Sequence, residues 1–327
     1  MRLPFPKGRL PIPDPIHIVS VSLGSSRRDK TVETEFLGRP VLVQRLGTDG
    51  DLQKAAKMIE ELDGKAAAIG LGGIDLYLIA GKRRWIIRDA ARLAAHAKIT
   101  PVVDGSGLKN TLERETFQFL AREGHMNPPA GFGRKLRVLL VSAVDRFGMA
   151  EAVDKLDCEQ VFGDLIFALK IPLPIRTLGG ISLMARTLLP ILTRLPFKML
   201  YPTGEKQHEL TGRGNKWFEW ADVIGGDFHF IGPNLPQPDD TNTGLLAGKM
   251  IITNTTTEED VAKLKALGLE KLVTTTPRLD GRSPGTNVME GVLVALSGKR
   301  PEELTEADYL DLLRQLQWQP TVEMLQE

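Results

Sequence analysis

A single cysteine, Cys158, stands in 327 residues, and that scarcity excludes an intrachain disulfide framework and any cysteine-rich zinc site. A reducing cytoplasm is the expected compartment, with the thiol read as a small buried hydrophobe. An excess of charge of either sign is also lacking. Lys and Arg number 42 against 41 Asp and Glu, for a net charge of +1, so nothing global drives the chain towards nucleic acid. The five histidines are scattered with no HExxH or other paired metal spacing, and no metal site is expected. The opening stretch MRLPFPKGRLPIPDP is broken by prolines instead of forming a continuous apolar core, so it does not read as a secretory signal.

What is present is α/β alternation. At this length two domains are the default, and the 42% hydrophobic content suffices for two cores. IHIVSVSLG and RPVLVQRLG read as strands, LQKAAKMIEEL as an amphipathic helix, AAAIGLGG as a buried strand and IDLYLIAGKRRWII as a hairpin turning at Ala80 and Gly81. GHMNPPAGFGR, at 124–134, has the Gly, Pro and Asn of a linker, which places a domain boundary near residue 130 and gives domains 1–130 and 131–327. Beyond it LRVLLVS, EQVFGD, ADVIGGDFHFIG, GKMIITN and EKLVTTTP read as strands, with helices at GMAEAVDKL, TEEDVAKLKALG, NVMEGVLVALSG and TEADYLDLLRQLQ. Such spacing implies a parallel sheet covered on both faces.

Two motifs carry chemistry. In VVDGSGL, Asp104 lies in a turn that opens a helix, a placement that presents a carboxylate at a cleft. In LRVLLVSAVDRFG, a strand breaks at a small-residue loop and becomes a helix, the order of elements in Rossmann-type nucleotide sites. Such loops use glycine because backbone N–H groups must approach a pyrophosphate with no Cβ in the way. Here the first two glycine places are Ser142 and, depending on alignment, Val144 or Asp145, and only Gly148 survives. A carboxylate at Asp145 facing a diphosphate costs about 1 kcal/mol or more, and Arg146 beside it can compensate by pairing with phosphate. Asp164, at the end of the next strand, falls where an acidic residue binds an adenosine ribose.

In order and spacing these pieces resemble the shikimate/quinate dehydrogenase family over about two thirds of the chain. The resemblance implies an N-terminal α/β substrate-type domain followed by a C-terminal Rossmann-like doubly wound parallel sheet domain. It implies NAD(P)-dependent oxidation or reduction of a hydroxyl/carbonyl pair on a cyclic polyol acid. By the same resemblance Asp104 is the catalytic aspartate, and NAD or NADP is bound by Ser142, Asp145, Arg146, Gly148, Asp164 and, in ADVIGGDFHFIG, Gly226 and Asp227. Ser22 and Ser25 of SLGSSRRD, with Ser283, Thr286, Asn287 and Glu290 of DGRSPGTNVMEGVL, hold the substrate, and Arg278 or Arg282 pairs with its anion. The family's lysine has no counterpart in IGLGGID; Lys82 is the nearest in sequence, and Lys65 and Lys109 also reach towards the cleft.

The missing glycines and lysine support an alternative, a non-catalytic binding or regulatory protein with a degenerate dinucleotide site, and whether the chain is an enzyme is left open. Residues 165–201 hold five basic residues and no acidic one among many Leu and Ile. Arg186 and several prolines argue against a spanning helix. A buried helical insertion, an apolar lid, a dimer face and a membrane-surface or hydrophobic-ligand element all fit the pattern. Among the histidines only His229, following GGDF, falls near the expected cofactor.

Overall fold

The apolar run Ile16–Ser22 (β1) is buried along almost its whole length, the signature of a strand covered on both faces. The computed structural model describes residues 15–81, 83–127, 133–196, 215–239, 242–254, 256–276 and 285–326. β1 pairs in parallel with β3 (Arg39–Gly47) and with β4 (Ala68–Gly72), which pairs in parallel with β7 (Val102–Val103). The alternately exposed β2 (Lys30–Phe36) runs antiparallel on the outer edge, giving the order β2-β3-β1-β4-β7. A separate hairpin joins β5 (Tyr77–Ala80) to β6 (Arg83–Ile86).

One face of this sheet is covered locally. Helix α1 (Leu52–Leu62), whose first turn is capped by the Asp51 carboxylate, and α2 (Arg88–Ala94) bring Ile59 and Ala90 against Val19 and Ile69. The other face is covered from far along the chain, by α10 (Thr286–Ser297) and α11 (Glu306–Gln315). Val288, Met289 and Val292 pack against Ile16, Ile18 and Ala68. Burial on every side explains why NVMEGVLVAL is apolar apart from Asn287 and Glu290, both of which are hydrogen-bonded.

The second sheet has the order β13-β12-β11-β10-β8-β9. Strands β8 (Leu136–Leu140), β9 (Cys158–Phe162), β10 (Val223–Gly225), β11 (Met250–Thr253) and β12 (Lys271–Thr274) are parallel, and β13 (Thr321–Met324) is antiparallel to β12. In chain order the parallel part reads 2-1-3-4-5, so the direction of winding switches between β8 and β10, the place where open sheets of this kind leave room beyond the strands' carboxyl ends. Helices α4 (Phe147–Val153) and α6 (Leu178–Leu192) cover one face; the short α5 (Asp164–Phe167), α7 (Asn215–Trp220), α8 (Phe228–Ile231) and α9 (Glu258–Ala266) cover the other. The long α3 (Ser106–Arg122) serves both units: Leu108 and Leu112 join the first core, Phe117 and Leu120 the second. The protein is thus a mixed α/β structure with two largely parallel sheets.

Two expectations change in detail. ADVIGGDFHFIG is a strand only over Val223–Gly225, because the Asp227 carboxylate accepts the His229 N–H and starts helix α8. Within 165–201, Ile181, Ala185 and Leu189 of α6 are buried in the second core, while Leu183 and Ile191 are 64% and 63% exposed. No described helix is long and apolar enough to cross a membrane. Lys82, Ser283, Arg278, Arg282 and residues 197–201 lie outside the described residues.

Candidate functional site

Asp104 follows β7 and is turned inward. Its carboxylate accepts the backbone N–H groups of Leu76 at 2.7 Å, Tyr77 at 2.9 Å and Ser106 at 3.0 Å. Gly105 beside it has φ of +94°, the left-handed region that favours glycine, and a Cβ there would stand 2.6 Å from Thr286 Oγ1. Glu290 of α10 accepts from Gly105 N at 2.6 Å, Gly107 N at 3.1 Å and the Tyr309 hydroxyl at 2.9 Å. Burial, then the Asp104 charge, pushes its carboxyl up to about 7. Asp104, Thr286 and Glu290 therefore meet where α3 and α10 join. One turn earlier Asn287 Nδ2 donates to Ser20 Oγ at 2.9 Å. Ser22 Oγ accepts from Gly24 N at 3.1 Å and Arg45 at 3.0 Å, and Ser25 Oγ accepts Arg27 N at 3.2 Å.

The loops after β4, β8 and β10 converge on a different set of side chains. Lys109 of α3 donates to Asp75, just after β4, at 3.0 Å and to Asp145, after β8, at 2.8 Å. Burial works against the Lys109 charge, yet Asp145 and Asp75 outweigh it and raise its pKa. Burial lifts Asp75 to about 6 despite Lys109. Arg146, 1% exposed, pairs with Glu113, with Asp227 and, through Nε at 3.2 Å, with Asp145. Glu113 is pushed up to about 7 by burial, against the pull of Arg146 and Lys109. For Asp227 burial loses to the Arg146 guanidinium and the carboxyl lies below its usual range. The result is a network of two cations fixing four carboxyl groups beyond the carboxyl ends of β4, β8 and β10. Asp75, Asp145 and Asp227 keep 20%, 15% and 16% of their side chains exposed, whereas Lys109 keeps 6%.

The loop after β8 is satisfied from within. Ala143 N and Val144 N both donate to the Asp164 carboxylate, at 3.0 and 2.9 Å. Burial pushes Asp164 up to about 7 although these amides oppose it. The amides that would face a pyrophosphate thus already hold an anion supplied by the chain. Gly148 lets α4 approach α3: a Cβ there would lie 2.5 Å from Asn110 O, and its N–H donates to Asn110 Oδ1 at 2.9 Å. Gly226, at φ +146°, passes Ser142, whose buried hydroxyl has no hydrogen-bond partner among the described residues. Helix α8 presents His229 on its exposed side.

The structure therefore gathers Asp145, Arg146 and Asp227 into one ion-pair network and sets Asp104, Thr286 and Glu290 into the joint between α3 and α10. Ser25 stays in an exposed turn, and Lys65 is exposed on the surface. Asp75 and Glu113 belong to the network although no motif marks them. The signal for Glu113 was its i, i+4 spacing from Lys109 on a helix whose neighbouring positions are apolar. Asp75 sits in IGLGGID itself, where a lysine was sought.

Fold and charge network together define an α/β protein with two largely parallel sheets and a cluster of ion-paired carboxyl groups beyond their carboxyl ends. The chain belongs to the family described as Domain of unknown function (DUF8754), whose model matches residues 107–325, and residues 17–104 match Domain of unknown function (DUF8753). No curated protein matches it. Similar solved structures include a galactofuranose binding protein, 13% identical, covering 95% of each chain with a TM-score of 0.34. GanP, a glucose-galactose binding protein from Geobacillus stearothermophilus, is 11% identical over 96% of this chain and 98% of that one, with a TM-score of 0.38. A hetero-hexameric glutamate dehydrogenase from Thermus thermophilus is 11% identical over 92% and 74%, with a TM-score of 0.43. Likenesses at these TM-scores assign no ligand. The expected membership of the shikimate/quinate dehydrogenases is corrected by these matches: the families whose models match the chain are the two above. The oxidoreductase function implied by that resemblance is withdrawn with it.

Proposed function

We propose that the chain is a non-catalytic binding protein for a small polyhydroxylated molecule, held in the crevice between the carboxyl ends of its two sheets. The observation that carries this reading is the ion-pair network. Asp75, Asp145 and Asp227 keep part of their side-chain surface open, while Lys109 and Arg146 hold them in place. Carboxylates held in place by buried cations are ready acceptors for adjacent hydroxyl groups, and prior fixing lowers the ordering cost of binding. The same charges disfavour anionic ligands. Asp164 on the Ala143 and Val144 amides adds to this, since a pyrophosphate would have to displace a bound carboxylate.

The test is thermal shift of the full chain with glucose, galactose and myo-inositol, alongside NADH and NADPH, in wild type and Asp145→Asn. A polyol-dependent rise in Tm that Asp145→Asn reduces is expected. A rise with a dinucleotide and with no polyol would overturn the reading.

A further inference from the structure

The geometry points to a second binding site, for a small organic anion, in a cavity between the β5–β6 hairpin, the start of α3 and the turn at 300–304. The cavity is about 300 Å³, the lower end of the size range for small-molecule pockets. Leu76, Ile79, Val103 and Leu304 give it an apolar wall.

Its charged groups are unequally engaged. Arg300 lines the cavity and is only 9% exposed, yet among the described residues its buried Nε has no hydrogen-bond partner. No carboxylate among the described residues pairs with its guanidinium. Arg84 also lines the cavity and has no ion-pair partner among the described residues; it stacks 3.1 Å above the Tyr77 ring. The acidic lining is mostly occupied. Asp104 is taken by three backbone amides, Glu290 by two amides and Tyr309, and Glu306 by Arg114 at 2.6 Å. Only Glu302 remains, exposed.

A nearly buried guanidinium with no counter-ion is costly, and an anion entering the cavity relieves that cost. The planar fork of Arg300 suits a carboxylate or phosphate, with Arg84 adding a second positive charge and the apolar wall taking the ligand's body. The shared chemistry is one anionic head on a compact apolar body. This site is separate from the polyol site, which is acidic.

The experiment is calorimetric titration of the full chain with benzoate, phenyl phosphate and the neutral benzamide. Saturable binding of at least one anion, with benzamide silent, is expected, and which anion binds distinguishes a carboxylate from a phosphate ligand. Arg300→Gln should weaken that binding about tenfold or more. If that variant does not fold, Arg84→Gln carries the test with a smaller loss in the same direction. Asp145→Asn should leave anion binding unchanged, so the inference stands or falls apart from the crevice. Silence from both anions, equal binding of benzamide, or unchanged affinity in a folded Arg300→Gln protein would overturn it.

Discussion

Replacing Arg146 by Met removes the central cation of the network while keeping a side chain of similar reach. Arg146 is 1% exposed and pairs with Glu113, Asp145 and Asp227. The variant buries that carboxylate set with Lys109 as its remaining close cation. Breaking a buried ion pair by removing one partner costs about 3–5 kcal/mol. Part of the loss is recoverable, because Glu113, already pushed up to about 7, can take a proton. Arg146→Met should therefore lose about 3–5 kcal/mol at pH 8 and less at pH 6. Urea unfolding followed by circular dichroism reads this as a fall in midpoint at constant slope. Adding Glu113→Gln should restore about 1 kcal/mol or more, since it removes one of the stranded charges. A loss below about 1 kcal/mol at pH 8 would refute the view that Arg146 holds the network together.

Three further outcomes are expected. Asp164→Ala strands the Ala143 and Val144 amides at about 1–3 kcal/mol each, and hydrogen exchange of those two amides should accelerate; unchanged exchange would remove Asp164 as their partner. Gly148→Ala forces a Cβ to within 2.5 Å of Asn110 O and should cost about 1–3 kcal/mol in Tm or urea midpoint, whereas a neutral result would mean α3 and α4 separate freely. Stability should also fall as pH rises from about 5 to 8. Asp75 is raised to about 6 and Glu113, Asp164 and Glu290 to about 7, so over this window the folded state binds protons that the unfolded state releases, at about 1.4 kcal/mol per proton per pH unit. Below about pH 4 the sign reverses, as Asp227, held below its usual range, and Asp308, held at about 2, lose their pairing. A Tm that climbs steadily from pH 5 to 8 would contradict this.

Much of the architecture was legible because strands covered on both faces are apolar runs and capped helices announce their first turn. LRVLLVS and the Thr257 cap are examples, the latter forming a full capping box with Asp260. The strand expected over ADVIGGDFHFIG was cut short because an aspartate two residues past a glycine can cap a helix as readily as it can end a loop. The edge strand KTVETEF, paired only with β3, alternates half-buried and exposed positions and carries little hydrophobic signal. Site residues were legible singly but not in their roles. The order of elements implies that Asp145 and Arg146 face a diphosphate, whereas the structure turns them towards Lys109, Glu113 and Asp227. Such pairings join residues up to 81 positions apart, beyond the reach of any local pattern. Gly148 kept its place for helix packing, a need that sequence does not separate from phosphate binding.

The most direct measurement is a crystal structure of the chain soaked with the polyol that gives the largest thermal shift. The crevice reading predicts the ligand's hydroxyls within hydrogen-bond reach of Asp145 and at least one of Asp75 and Asp227, with Asp164 still on the Ala143 and Val144 amides. A ligand bound elsewhere, or a dinucleotide whose pyrophosphate sits on those amides with Asp164 displaced, would contradict it.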